Sequence, residues 1–259
     1  PYTASFTMEN SPFNLGNPPK QYAGELAAYI HTEGDINKWL RISAGLRFSY
    51  YQQLGPFTRY IFDPITLVNV DSIVYDKNKK VKDYYEAEPR FLARFKIDDK
   101  NAIKFSATRN IQFIHMVSPV SITLPTDLWV PSTDSVKPQV GYQLSLGYYH
   151  NFLNNSIEMS VEGYYKWFFN QIDYKEESLY ENYVLTNIDN NFTYGKGRAY
   201  GVEFFLQKKY GTLTGWLGYS YGKTERKFPK INDGKPFPAK YDRTHDVNIV
   251  INYKINEAF

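Results

Sequence analysis

Four glutamates stand in two pairs, Glu86 with Glu88 and Glu158 with Glu162. Two carboxylates aimed at one bond can act as general acid and base. Even spacing puts each pair on one face of an extended chain. Arg90 and Arg94 follow the first pair at the same parity, and Arg41 and Arg47 lie on an earlier segment. With arginines so placed, the expected role of the glutamates is ion pairing with Arg41, Arg47, Arg90 and Arg94 rather than acid–base chemistry. The histidines are His31, His115, His150 and His245, and their spacing fits no metal site. The run Asp242-Arg243-Thr244-His245-Asp246 is dense in polar groups but lacks a nucleophile elbow. It reads as a hydrogen-bonded return from a long loop into a strand. Gly195-Lys196-Gly197 lacks the helix and spacing of a phosphate loop, and reads as the end of a loop. The absence of cysteine rules out disulfides, thiolate metal sites and thiol catalysis. No catalytic residue, metal or cofactor is expected.

The elements that position these residues have a period of two. Leu40, Ile42, Ala44, Leu46, Phe48 and Tyr50 alternate with Arg41, Ser43, Gly45, Arg47 and Ser49. The same alternation predicts nine strands, over 22–32, 39–50, 84–97, 102–115, 139–152, 156–170, 198–209, 212–225 and 244–254. Several are 12 to 15 residues long, whereas globular strands run to about 5 or 6. Crossing a bilayer takes a tilted strand of about 9 to 11 residues. Arg109 sits on the wrong face of the fourth strand, which calls for a bulge or a place near a rim. Short connectors near 34–37, 98–101, 153–155 and 210–211 alternate with long ones near 54–83, 116–137, 171–197 and 226–243. Short turns at one end and long loops at the other are the pattern of an outer-membrane barrel.

Composition agrees. Of 259 residues, 18% are aromatic, with 24 Tyr, 18 Phe and 4 Trp. Tyrosine in bulk suits an interface that is apolar at one end and wet at the other. The mean hydropathy of −0.51 does not describe a helical membrane protein, and no run approaches the ~18 apolar residues of a spanning helix. The N-terminus has no signal-peptide pattern and reads as a loop. A net charge of +3 with mixed signs is no nucleic-acid footprint.

The stretches RAYGVEFFLQKKYGTLTGWLGYSYGKTERKF at 198–228 and FPAKYDRTHDVNIVINYKI at 237–255 resemble the barrel of TonB-dependent outer-membrane receptors. EAEPRFLARFKI, IKFSATRNIQ and IEMSVEGYYKWFFNQIDY extend the resemblance over the whole chain. It implies an all-β, transmembrane, antiparallel up-and-down barrel in a Gram-negative outer membrane. Such receptors have about 22 strands and a plugged lumen. Residues 1–259 are therefore expected to be part of one barrel domain, without the plug and the remaining strands. The implied function is energised uptake of a scarce ligand such as a siderophore, vitamin, oligosaccharide or peptide, with no catalysis. The implied partners are the bilayer, the TonB–ExbB–ExbD system acting through the plug, and a surface lipoprotein. Arg41, Arg47, Glu86, Glu88, Arg90, Arg94, Glu158, Glu162 and Glu203 are expected to face the lumen. Tyr60, Trp129, Tyr180, Tyr183 and Phe228, on the long loops, are expected to contact ligand. Two other readings share the alternation: a passive porin, and a soluble β-sandwich that binds carbohydrate.

Overall fold

The computed structural model describes residues 20–62, 69–117, 128–175, 189 and 192–255. Nine long strands form one antiparallel sheet: β1 (Tyr22–Asp35), β2 (Leu40–Leu54), β5 (Lys80–Lys96), β6 (Asn101–Gln112), β9 (Gln139–Phe152), β10 (Ile157–Tyr174), β11 (Phe192–Lys208), β12 (Leu213–Lys227) and β14 (His245–Tyr253). Each pairs with the long strand before and after it in sequence, which makes an up-and-down sheet. It is an arc of a barrel, not a closed one, and the other sheets among the described residues are two-stranded hairpins, too small to make the second layer of a sandwich. All nine expected strands are present. β10 and β11 run further into the 171–197 connection than their alternation suggested, so Gly195-Lys196-Gly197 lies inside β11 and not at a loop end.

The short connections, 36–39, 97–100, 153–156 and 209–212, all fall at one end. Their side chains explain how they turn so tightly. Asn37 Oδ1 accepts the Trp39 and Leu40 amides at 3.0 and 2.9 Å. Asp98 Oδ1 accepts those of Lys100 and Asn101 at 2.7 and 2.8 Å. Both are Asx turns, in which the side chain stands in for a backbone acceptor. Asn154 and Asn155 take positive φ values of 53° and 65° in the third turn, and Gly211 takes 109° in the fourth.

The long connections lie at the other end and carry their own structure. A hairpin of β3 (Phe57–Phe62) and β4 (Asn69–Tyr75) links β2 to β5. A second, of β7 (Ile114–Val117) and β8 (Leu128–Pro131), links β6 to β9. β13 (Phe237–Pro238) pairs with the end of β12. The Asp242–Asp246 run is a hydrogen-bonded return to β14, as expected. Asp242 accepts the Thr224 amide at 2.6 Å, Thr244 O accepts the Gly222 amide at 3.0 Å, and His245 Nδ1 lies 2.9 Å from the Tyr219 hydroxyl.

Register sorts the side chains onto two faces. One carries Leu46, Phe48, Phe91, Leu144, Leu146, Val202, Val247 and Ile249, all large and exposed. The other carries Ser49, Gln53 and Glu88, which are buried. A protein folded for water has the opposite arrangement. Among the described residues, a cluster of buried apolar side chains, Val117, Val130, Val136, Ile172, Tyr174 and Phe192, lies at the long-loop end. No described helix is long and apolar enough to cross a membrane, which says nothing of strands.

Candidate functional site

The polar face is a continuous surface of ion pairs and tyrosines. Arg41 Nε binds Glu33 at 2.7 Å. Arg47 bridges Glu25 at 3.2 Å and Glu88 at 3.4 Å. Glu88 also accepts the Ser49 hydroxyl at 3.0 Å and the Ile111 amide at 3.2 Å. Glu158 pairs with Lys209, and Glu162 accepts the Tyr149 hydroxyl at 2.8 Å. Glu203 lies directly opposite Glu162 across the β10–β11 ladder. Arg90 donates to Asn110 at 3.5 Å, and the buried Nε of Arg94 has no hydrogen-bond partner among the described residues. Of the four arginines expected to hold the four glutamates, only Arg47 does so, on Glu88. Arg41 binds Glu33 instead, and Glu86 is held by Arg109. The even spacing fixed the face; partner choice depended on register between strands.

Arg109 resolves its odd placement. The β5–β6 ladder stops at Arg90 opposite Thr108, and Pro89, the next residue of β5, has no N–H to continue it. Side chains bridge the slit left beyond that point. Glu88 takes the Ile111 amide from the polar side. Arg109 reaches in from the apolar side to Glu86 at 2.6 Å, to the Ala87 carbonyl and to the Tyr142 hydroxyl at 3.3 Å. No bulge is involved. Further down the wall, Tyr164 lies beside Gly201 and Gly222, where a Cβ would come within 2.8 and 2.9 Å of its hydroxyl. The glycines leave room for the ring to lie against the wall.

At the long-loop end the β7–β8 hairpin and residues 132–136 fold over the polar face. Tyr51 stacks on Phe113 with centroids 4.8 Å apart and donates to the Ser132 carbonyl at 3.0 Å. Tyr84 donates to the Thr133 carbonyl at 2.5 Å. The Thr133 hydroxyl donates to Asp189 at 2.6 Å. Arg59 and Lys82 hold Asp134 at 2.6 and 3.5 Å. His115 is buried with Nε2 3.3 Å from the Ser132 hydroxyl, and burial pushes its pKa down to about 4. Arg226 reaches Asp173 at 2.8 Å and the Ile172 carbonyl at 2.9 Å, which ties β12 to β10.

The loop aromatics fare unequally. Trp129 on β8 is 64% exposed, and Tyr60 on β3 is half-buried. Phe228 is fully buried, with Phe237 at 6.1 Å and the Arg226 guanidinium over its ring at 4.8 Å. It is a packing residue with no ring face left open. Tyr180 and Tyr183 lie outside the described residues. Alternation alone does not single out Tyr51, Tyr84, Thr133 or Asp189, whose partners are distant in sequence. The histidines stay apart, and the described residues hold no group of three or more His, Cys, Asp or Glu that could take a metal.

A family model for the TonB dependent receptor-like β-barrel matches residues 2–255. The chain belongs to this family. Its fold is similar to that of the FrpB iron transporter from Neisseria meningitidis (F3-3 variant), at 12% identity and a TM-score of 0.59 over 92% of this chain and 32% of that one. Copper transporter OprC matches at 12% identity and a TM-score of 0.60, over 90% of this chain and 34% of that one. The ferripyoverdine receptor of the outer membrane of Pseudomonas aeruginosa matches at 14% identity and a TM-score of 0.57, over 91% and 26%. No curated protein matches. The chain spans about a quarter to a third of the length of these solved structures. The TonB-dependent receptor barrel accounts for the inverted faces: exposed leucines and buried serines suit a wall with lipid on one side and a polar interior on the other.

Proposed function

We propose that the chain is wall and mouth of an outer-membrane receptor that takes up a scarce ligand with energy from the inner membrane. The observation that carries this reading is the inversion of the two faces in the sheet of a TonB-dependent receptor barrel, with Leu46, Phe48, Leu144 and Leu146 exposed and Ser49, Glu88 and Ser145 buried. On this reading Arg41, Arg47, Glu86, Glu88, Arg90, Arg94, Glu158, Glu162 and Glu203 face the interior and meet the plug or the ligand path. Among the described loop aromatics Trp129 and Tyr60 are left to meet ligand, together with Tyr180 and Tyr183 outside them; the ligand is a siderophore, vitamin, oligosaccharide or peptide. Coupling to TonB–ExbB–ExbD passes through the plug, and a surface lipoprotein is a further partner.

The test is uptake by cells carrying the full-length receptor, with radiolabelled ferric and cupric chelates as probes, with and without TonB. Accumulation that requires TonB is the expected result. Flux indifferent to TonB would instead make the protein a passive porin. The chain itself has no cysteine, so with any cysteine elsewhere in the receptor replaced, Leu46→Cys and Arg47→Cys report the two faces. Leu46→Cys should react only with a lipid-soluble thiol reagent, and Arg47→Cys with a small water-soluble one.

A further inference from the structure

The ladder between β5 and β6 ends in mid-wall, at Arg90 opposite Thr108. Beyond that point β5 stays paired with β2 as far as Lys80, and β6 with β9 as far as Gln112. The two strands part while each keeps its other neighbour. Register places the parting inside the apolar band. Pro89 stands opposite Leu46 and Ala87 opposite Phe48, both large and exposed. Open sheet edges are not found in the hydrocarbon of a bilayer, where unpaired backbone groups meet no water. A slit at this level therefore has to be closed by something else.

Among the described residues only side chains cross it. Glu88 accepts the Ile111 amide at 3.2 Å, and Arg90 donates to Asn110 at 3.5 Å. Arg109 holds Glu86 at 2.6 Å and the Ala87 carbonyl. Side chains rotate aside without breaking a ladder. Each closing group also has a partner on its own bank. Ser49 and Arg47 hold Glu88 from β2 at 3.0 and 3.4 Å, and Tyr142 on β9 lies 3.3 Å from Arg109 Nε. Letting go across the slit leaves neither charge stranded. At its foot the slit meets a groove of about 530 Å³ on the apolar face. Phe91, Leu144 and Trp167 line this groove, with Pro89, Thr108 and Arg109 at the slit end.

We propose, on the membrane reading of the apolar face, that the slit is a lateral opening latched by Glu88 and Arg109, through which an uncharged apolar ligand passes between the bilayer and the interior. The lining selects that class. In the groove the one charge, Arg109, is already engaged by Glu86, so a charged ligand finds no free counter-ion there. On the inner side Thr108, Asn110 and Gln112 offer uncharged donors and acceptors, which suit a hydroxyl or amide at the leading end of the ligand. A wall needed only as a seal would carry backbone bonds across the gap, as it does between the other long strands.

The test places the intact receptor in phosphatidylcholine vesicles with a long-chain alcohol that carries a photoreactive diazirine and stays in the bilayer. Labelled residues are mapped by mass spectrometry. Thr108, Asn110 and Gln112, on the polar face beside the slit, should be labelled. Lys104 and Glu162, on the polar face behind continuous ladders, should not. Glu88→Ala should raise labelling beside the slit roughly tenfold, the weight of one hydrogen bond to a charged acceptor. Glu88→Gln still accepts the Ile111 amide and should keep the original level. Ala87→Cys with Ile111→Cys, in a receptor without other cysteines, leaves both latch side chains in place. Joining that pair with a bifunctional thiol reagent should abolish the labelling. Labelling confined to the groove, or indifferent to the cross-link, would overturn the proposal. So would equal labelling of Lys104 and Glu162, which means entry by another route. Failure of the receptor to insert would overturn the membrane reading itself, and the lateral opening with it.

Discussion

Leu46 and Tyr51 lie on the same strand, one on each face, and their environments are reversed. Leu46 is 45% exposed on the apolar face, with lipid as its proposed solvent. Tyr51 is 2% exposed on the polar face, sealed under Phe113 and the carbonyl of Ser132. The membrane wall needs no protein against its apolar side, because burying Leu46 in lipid satisfies it as well as a core would. The mouth stands clear of that solvent and must assemble an ordinary core from loop residues. One strand therefore obeys two rules, set by what surrounds each end.

Substitutions can break or sharpen this contrast. The largest effect is expected at the mouth. Tyr51→Ala removes a stacked, fully packed ring and leaves the Ser132 carbonyl unpartnered, at a cost of about 3–5 kcal/mol. Protease cutting of the β7–β8 hairpin should rise sharply, while the wall stays folded by infrared spectroscopy. On the wall, Leu46→Arg should cost about 2–4 kcal/mol if the site is near mid-bilayer, read from denaturant titration of the protein refolded in vesicles. Arg47→Leu should cost less, since its two ion pairs are partly solvated. Equal damage from both would erase the difference between the faces.

A third, smaller effect concerns pH. Burial favours the neutral ring of His115, so the folded hairpin binds this proton less readily than the unfolded chain does. Hairpin stability is then full above the ordinary histidine pKa and falls as pH drops from there toward about 4. Hydrogen exchange of residues 114–117 and 128–131 should quicken over that interval, and His115→Gln should flatten the response. The least effect is expected in the short turns. The backbone amide of Lys100, then the side chain of Asn101, hold the Asp98 carboxyl below the usual carboxylate range. Asp98→Ala should loosen amide exchange at Lys100 and Asn101 and leave the remainder of the sheet unchanged.

The wall was highly legible from sequence and the mouth was not. Side-chain direction in a strand alternates at every residue, so Leu40 to Tyr50 announced two faces without reference to any partner. The arginine–glutamate pairs were legible only as a set on one face. Glu86 found Arg109 because Pro89 interrupts a ladder, and Arg41 found Glu33 because register brought β1 alongside β2.

What the sequence determined by itself was the local repeat: nine alternating strands, the short connectors between them, and the end at which long loops gather. These follow from backbone geometry and from solvent preference residue by residue. The tertiary structure alone decided the slit sealed by Glu88 and Arg109, and the hairpin laid over the polar face. Those contacts join residues far apart in the chain, 81 positions for Tyr51 with Ser132 and 56 for Thr133 with Asp189. No local pattern encodes such a pair, because its formation depends on the closure of every strand between them.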